Sequence, residues 1–298
     1  MKVVSDALYE AIHKRNRKFK LRLDFGEFQI TNAENYKTEL ISSPSSGLAV
    51  GCVAIGSGSF EIKNNVVDVA NKVFRAYIGM EIQGQMEWVK LGKYTVKNIE
   101  KKGTKDVVSF ENDISLLDER FDETLTLPTT STAVLERIET ICGVKFDFNS
   151  FNVYTVIDKQ LEGYSCRDIV GWIAQLMGLF VVVDNQTEQI SAKWYVDSGY
   201  VINDTNYLYM IDEPTTDAHF RLEAISCQTG FETLVASNEN AVGVMSISNP
   251  LMTQSRLDAI FSERKNFHFS LKPCVRTYHK ASDFSFPWYV RTYLFHLE

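Results

Sequence analysis

The stretch Gly163-Tyr-Ser-Cys-Arg-Asp-Ile-Val-Gly-Trp-Ile-Ala-Gln-Leu-Met-Gly-Leu-Phe-Val-Val-Val-Asp184 reads as a capped amphipathic helix, a glycine stop and an apolar strand. Ser165 suits an N-cap, and Asp168 follows three residues later, close to a capping-box arrangement. Ile169, Val170, Trp172, Ile173, Leu176 and Met177 recur at helical spacing. Gly178 suits the left-handed position just past a helix end. Leu179 to Val183 is short and β-branched, so it reads as a buried strand rather than more helix. The polar groups here cap a helix, and none is poised for catalysis.

On the N-terminal side the same pattern recurs. Thr132 or Ser131 caps a helix carrying Val134, Leu135, Ile138 and Ile141, Gly143 ends it, and Val144 to Phe148 follows as a strand. Two such units make an α/β pair and not a solenoid. Downstream, Asn185 and Gln186 turn the chain into a strand from Gln189 to Val196 that contains Trp194. These units place an α/β region at about 122–212.

The flanks are β in character. Phe19, Leu21, Leu23 and Phe25 alternate with Lys20, Arg22 and Asp24, the pattern of a half-buried strand. A short helix precedes it at about 5–14, with Leu8 and Ile12 on one face, and the basic run 13–18 reads as its solvated end. Ser42 to Gly47 is a loop. Leu48 to Ala54 reads as a strand, with Gly51, Gly56 and Gly58 marking a bulge or sharp bend. Strands are predicted at Phe60–Ile62, Val73–Ile82 and Glu87–Ile99. A turn at Lys101 to Thr104 leads into Val107–Phe110, and Asn112-Asp113 opens a short helical turn. This antiparallel pattern to about residue 121 suits a small barrel. β alternation returns from Asp217 to Val235, Ser248-Asn249-Pro250 turns the chain, and Thr253 to Phe261 looks helical. The fold class is α+β and β-rich: an antiparallel, barrel-like domain over 1–121, an α/β domain inserted over 122–212, and the start of a second barrel-like domain over 213–261.

Residues 262–298 differ. They hold His268, His279 and His296, six basic against three acidic side chains, and many aromatics without clean alternation. An aromatic β segment, an out-of-frame or junction sequence, and a basic–aromatic arm for nucleic acid all fit this composition.

Of the 298 residues 45% are hydrophobic, 12% aromatic and 23% charged, enough for real cores. The net charge of −7 argues against nucleic acid as the main partner, since phosphate binding needs a basic surface. The N-terminus lacks a signal-peptide pattern and no window resembles a membrane span, which predicts a soluble chain made in the cytosol. Cys52, Cys142, Cys166, Cys227 and Cys274 are scattered without metal-ligand spacing, so they read as small buried hydrophobes.

Catalytic constellations are weak. His13 and His219 lie outside any nucleophile motif. Asp24 and Glu27 could form a carboxylate pair, although acidic residues are common at strand-end turns. The glycines at 51, 56 and 58 lack the lysine of a phosphate loop. Trp88, Trp172, Trp194 and Trp288 could suggest a sugar platform, but the helical spacing of Trp172 favours core packing. No catalytic, cofactor-binding or metal-binding residue is assigned, no cofactor is expected, and the chain is read as a non-enzyme.

Three stretches carry a family resemblance. They are Leu48 to Ala54 leading into Ser59-Phe60-Glu61-Ile62; Gly92 to Val96 with Val107 to Asp113 and Leu116-Leu117-Asp118; and Tyr164 to Gly178. In this order they resemble the hub (baseplate hub or tail-tip base) proteins of tailed bacteriophages and prophages, closest to those of phages infecting Gram-positive bacteria. The resemblance covers about residues 5–261. It implies a virion structural protein, a trimeric hub in which two barrel-like domains per subunit give a pseudo-sixfold ring between tail tube and tail tip. Its partners would be further copies of itself and tail-tube and distal-tail or baseplate proteins, with no nucleic acid as main partner and no membrane span. It would reside in the virion tail after synthesis in the bacterial cytoplasm. In that family the second barrel continues well past residue 261, so the unusual terminus here implies a truncated or altered end. The alternatives are a carbohydrate- or receptor-binding β module and, third, a cell-wall hydrolase.

Overall fold

The computed structural model describes residues 5–12, 18–41, 50–63, 67–151, 155–194, 220–225, 234–237 and 243–264. The loop at 42–47, His13, His219, Trp288 and nearly all of 262–298 lie outside these residues. Helix α1 spans Asp6–Ile12, and the Ser5 hydroxyl accepts from Leu8 N at 3.1 Å as its cap. Seven strands follow: β1 Phe19–Asp24, β2 Gln29–Ile30, β3 Glu34–Ile41, β4 Ile55–Lys63, β5 Val73–Ile82, β6 Gln85–Lys102 and β7 Lys105–Glu111. They form one antiparallel sheet in the order β2-β1-β5-β6-β7-β4-β3.

The hairpin turns follow from local chemistry. Gln83 and Gly84, both at positive φ, join β5 to β6 as a two-residue loop whose twist matches the strands. Gly103-Thr104 joins β6 to β7 as a second two-residue loop, in which Gly103 alone is at positive φ.

All seven strands send side chains into one core: Leu23, Ile30, Tyr36, Phe60, Ile62, Phe74, Ala76, Tyr94, Val96, Val108 and Phe110. The aromatic contacts fix the shape of the sheet. Phe60 on β4 and Phe74 on β5 are three strands apart, which is about 14 Å in a flat sheet. Their rings stand 5.6 Å apart, edge to face. The sheet is therefore strongly coiled around this core. Among the described residues no hydrogen-bonded register joins β2 to β3.

A 3₁₀ turn at Asp113–Asp118, capped by Asn112, leads out of the sheet. The next elements are β8 Thr129–Thr130, α2 Ser131–Cys142, β9 Val156–Ile157, α3 Cys166–Leu176, β10 Phe180–Val183 and β11 Ile190–Lys193. Then come β12 Phe220–Ile225, β13 Leu234–Ser237, β14 Gly243–Ser248 and α4 Gln254–Arg264. β12 pairs antiparallel with β13 and parallel with β14. A second core joins Leu135 and Ile138 of α2, Ile169 and Ile173 of α3, Val181, Ile190, Leu234, Ile247 and Leu257.

The helix-and-strand unit that opened the sequence analysis forms as read. The Ser165 hydroxyl accepts from Asp168 N at 3.0 Å and donates to the Asp168 carboxylate at 2.7 Å. Gly178 sits at φ +66, its N–H donating to Gln175 O and that of Leu179 to Ala174 O, the paired bonds of a Schellman stop.

Four sequence readings shift. The cap of α2 is Thr130, one residue before the predicted Ser131 or Thr132, and its hydroxyl accepts from Ala133 N at 3.1 Å. Val144 to Phe148 is no strand; it makes a single parallel bridge, Phe146 to Ile190. The strand predicted at Gln189–Val196 is β11, and Trp194 lies past its end. In the stretch predicted as a strand at Leu48–Ala54, residues 50–54 hold a turn at Val50-Gly51 and one bridge, Val53 to Val181, because this segment pairs with the second core and not with the sheet. Gly51 N donates to Leu179 O, Val181 N to Cys52 O and Ala54 N to Val181 O.

Candidate assembly surfaces

The residues singled out for chemistry are occupied structurally. Asp24 accepts from Gly26 N at 2.9 Å and from the Gln29 amide at 3.3 Å, which holds the β1–β2 turn. Glu27 pairs with Lys72 at 3.0 Å. Both carboxylates are engaged at this turn. Cys142, at the end of α2, and Cys166, at the start of α3, are buried with their side chains hydrogen-bonded to each other. That bond lowers the pKa of Cys142, and the same contact together with burial raises Cys166, so one thiol donates to its neighbour. Among the described residues no group of His, Cys, Asp and Glu could hold a metal ion, and no helix is long and apolar enough to cross a membrane. None of the described tryptophans is broadly exposed. Trp172 packs edge to face on Tyr164, and Trp194 tilts against Phe180 at 6.0 Å.

What remains is surface. On the outer face of the coiled sheet, register brings three strands' side chains together. Arg22 of β1 lies directly across from Tyr77 of β5, and Trp88 of β6 lies across from Gly79 of β5. The Arg22 guanidinium lies 4.4 Å from the Tyr77 ring centroid and 4.6 Å from that of Trp88. Gly79 leaves the space that the indole occupies, since a Cβ there would stand 2.5 Å from the Trp88 ring. This is a cation–π cluster built on three adjacent strands.

Beside it the β10–β11 turn docks on the sheet. Glu188 takes a two-pronged contact from Arg75, at 2.5 and 2.8 Å, and meets Lys90 at 2.5 Å. Lys90 also donates to Gln186 O. The Arg75 hydrogen bonds, reinforced by Lys90, hold the Glu188 carboxyl down at about 2. In the same turn burial opposes ionisation of Asp184, but Lys193 and the Gln186 and Thr187 amides outweigh it and bring that group to about 2. A second clamp joins Lys93 of β6 to Asp113 at 2.8 Å. The sequence reading placed β1, β5, most of β6 and the β10 unit, but it did not single out Arg22, Arg75 or Glu188. Only the alternation of Lys20, Arg22 and Asp24 signalled that Arg22 faces outward.

No protein-family profile and no curated protein matches the sequence. Solved structures do. The 43 kDa tail protein of prophage MuSo2 from Shewanella oneidensis superposes with a TM-score of 0.51 at 11% identity, over 83% of this chain and 78% of that one. The chain has the fold of a phage tail protein. A tail protein from Neisseria meningitidis overlaps more loosely, with a TM-score of 0.48 at 11% identity over 83% of this chain and 75% of the other. The prophage tail protein gp18 from Listeria monocytogenes gives 0.43 at 13% identity, over 80% and 76%. The β-rich α+β class expected from the sequence agrees with the described elements and with this tail-protein fold.

Proposed function

We propose that this chain is a structural component of a phage or prophage tail, one subunit of a trimeric hub that joins the tail tube to the tail tip or baseplate. The observation that carries the reading is the shared fold with the MuSo2 tail protein over most of both chains. Two further features support it. The coiled seven-stranded sheet ends in β2 and β3, each of which pairs on one side only among the described residues, and edges of this kind serve pairing with another chain. Its outer face carries side chains suited to subunit contact rather than a cleft with reacting groups. In this reading 1–121 is the first barrel-like hub domain, 122–212 an inserted α/β domain and 213–261 the start of a second barrel-like domain. In sequence, the atypical segment 262–298 follows where that barrel would continue. The hub is of the type found in phages of Gram-positive bacteria, and it resides in the virion tail.

The test is imaging and mass measurement of tail particles. Negative-stain electron microscopy of particles labelled through this chain should place it at the junction of tube and tip, in three copies. Its absence from purified tails, or a copy number that is not a multiple of three, overturns the hub reading.

A further inference from the structure

We infer that Cys142 and Cys166 are a redox-active pair, which hydrogen peroxide converts from two free thiols into a disulfide tying the end of α2 to the start of α3. The inference goes beyond the tail reading and stands without it.

Three observations carry it. The first is juxtaposition. The two cysteines are far apart in sequence, yet α2 ends at Cys142 and α3 begins at Cys166. Both side chains sit in the second core, hydrogen-bonded to each other. No packed atom separates thiols in such contact. Closing to the ~2 Å of a disulfide therefore needs side-chain rotation and no passage through the core.

The second is that both stand at helix ends. Cys142 precedes Gly143, which stops α2 at φ +66. Cys166 follows the Ser165 cap, and its N–H donates to Glu119 O at 2.8 Å, outside the helix. Helix ends fray where helix interiors do not. A small shift needed to close the bond is taken up there, while Ile138, Ile169 and Ile173 keep their places in the core.

The third is unequal access. Cys166 is 0% exposed, whereas Cys142 keeps 9%. The hydrogen bond from Cys166 favours the Cys142 thiolate and outweighs its burial. Cys142 is thus the attacking sulfur and Cys166 the resolving one.

The chemistry balances. The Cys142 sulfur attacks one peroxide oxygen, the O–O bond breaks, and the departing hydroxide takes up the thiol proton as water. The Cys142 sulfenic acid that remains is attacked by the Cys166 sulfur. The S–O bond breaks, the S–S bond forms, and a second water leaves with the Cys166 proton. The sulfur pair gives up two electrons and the peroxide gains two. The bond closes a loop that carries β9 and so restricts the unfolded chain.

The experiment treats the fully reduced, purified 298-residue chain with hydrogen peroxide, then blocks the remaining thiols and maps peptides by mass spectrometry without reduction. Cys52, half-buried, reports the peroxide dose. The Cys142 and Cys166 peptides should appear joined, at least about tenfold above any other cysteine pair. The thermal midpoint should rise by at least about 4 °C on oxidation and fall back with dithiothreitol. Cys166→Ser should lose both effects; should that variant not fold, the wild-type map alone decides. Oxidation of Cys52 with Cys142 and Cys166 both still thiols overturns the inference. So does Cys142 recovered as a sulfinic acid beside a free Cys166 thiol, and so does a cross-link that forms only in denaturant.

Discussion

At the scale of single residues, the coiled sheet depends on where side chains are missing. Gly58 on β4 lies across from Phe110 on β7 and Thr38 on β3. A Cβ there would stand 2.1 Å from the Lys37 carbonyl and 2.5 Å from the Phe110 ring. Neither can yield cheaply, because the first is backbone and the second is wedged among Tyr36, Phe60, Phe74 and Tyr94. Gly58→Ala should therefore cost about 1–3 kcal/mol, the range for overpacking a well-filled core, read as a lower denaturant midpoint. A second residue-scale expectation concerns the thiols. Cys142 and Cys166 are buried free thiols hydrogen-bonded to each other, whereas Cys52 is half-buried. In the native protein Cys52 should be alkylated at least about tenfold faster than either, because a reagent must first reach the sulfur and burial of Cys142 outweighs its lowered pKa. Mass spectrometry of a time course checks the order.

At the scale of elements, what could be read in advance was what is encoded locally. α2 and α3 announce themselves through spacing, a hydroxyl cap and a glycine stop, all within a dozen residues. Ser165→Ala should destabilise the fold by about 1 kcal/mol, the usual cost of losing such a cap, while Ser165→Asp should restore most of the loss; thermal melts of the two variants separate capping from packing. The elements missed are those whose pattern is broken or borrowed. β3 carries a register shift between Glu34 and Lys37, which disrupts the period of two that would have revealed it. The run before β4 looked like a strand because it is apolar, but residues 50–54 pack on α3 and β10: the Gly51 carbonyl passes so near Gly171 that a Cβ there would stand 3.1 Å away. The Arg22 cluster was invisible for a related reason. Arg22, Tyr77 and Trp88 are far apart in sequence, and only the registers of β1, β5 and β6 bring them onto one face.

At the scale of the whole molecule, the question is what ties the coiled sheet to the second core. Backbone pairing of residues 51–54 with 179–181 makes one seam, and the Glu188 clamp on Arg75 and Lys90 makes another. The clamp has a pH signature whose sign is fixed. Glu188 is held at about 2 in the folded protein against a usual value of 4.5. A depressed folded pKa means that the folded state favours the ionised form. Its contribution is complete above the usual value and drains away as the pH falls from 4.5 towards 2. Because the pair is partly open to solvent, screening reduces its worth to on the order of 1 kcal/mol. Glu188→Gln keeps the shape of the side chain and its backbone position at φ +62 but removes the charge. At neutral pH the variant should unfold at lower denaturant than wild type. As the pH falls from 4.5 the difference should shrink and the two should converge near pH 2, where the wild-type carboxyl becomes protonated in the folded state as well. Asp184 titrates in the same window but is present in both proteins, so it cancels in the difference. Denaturant midpoints of the pair across a pH series measure this directly. A difference that stays constant with pH would mean that Glu188 acts through packing alone, leaving the backbone seam as the connection that holds the two cores in register.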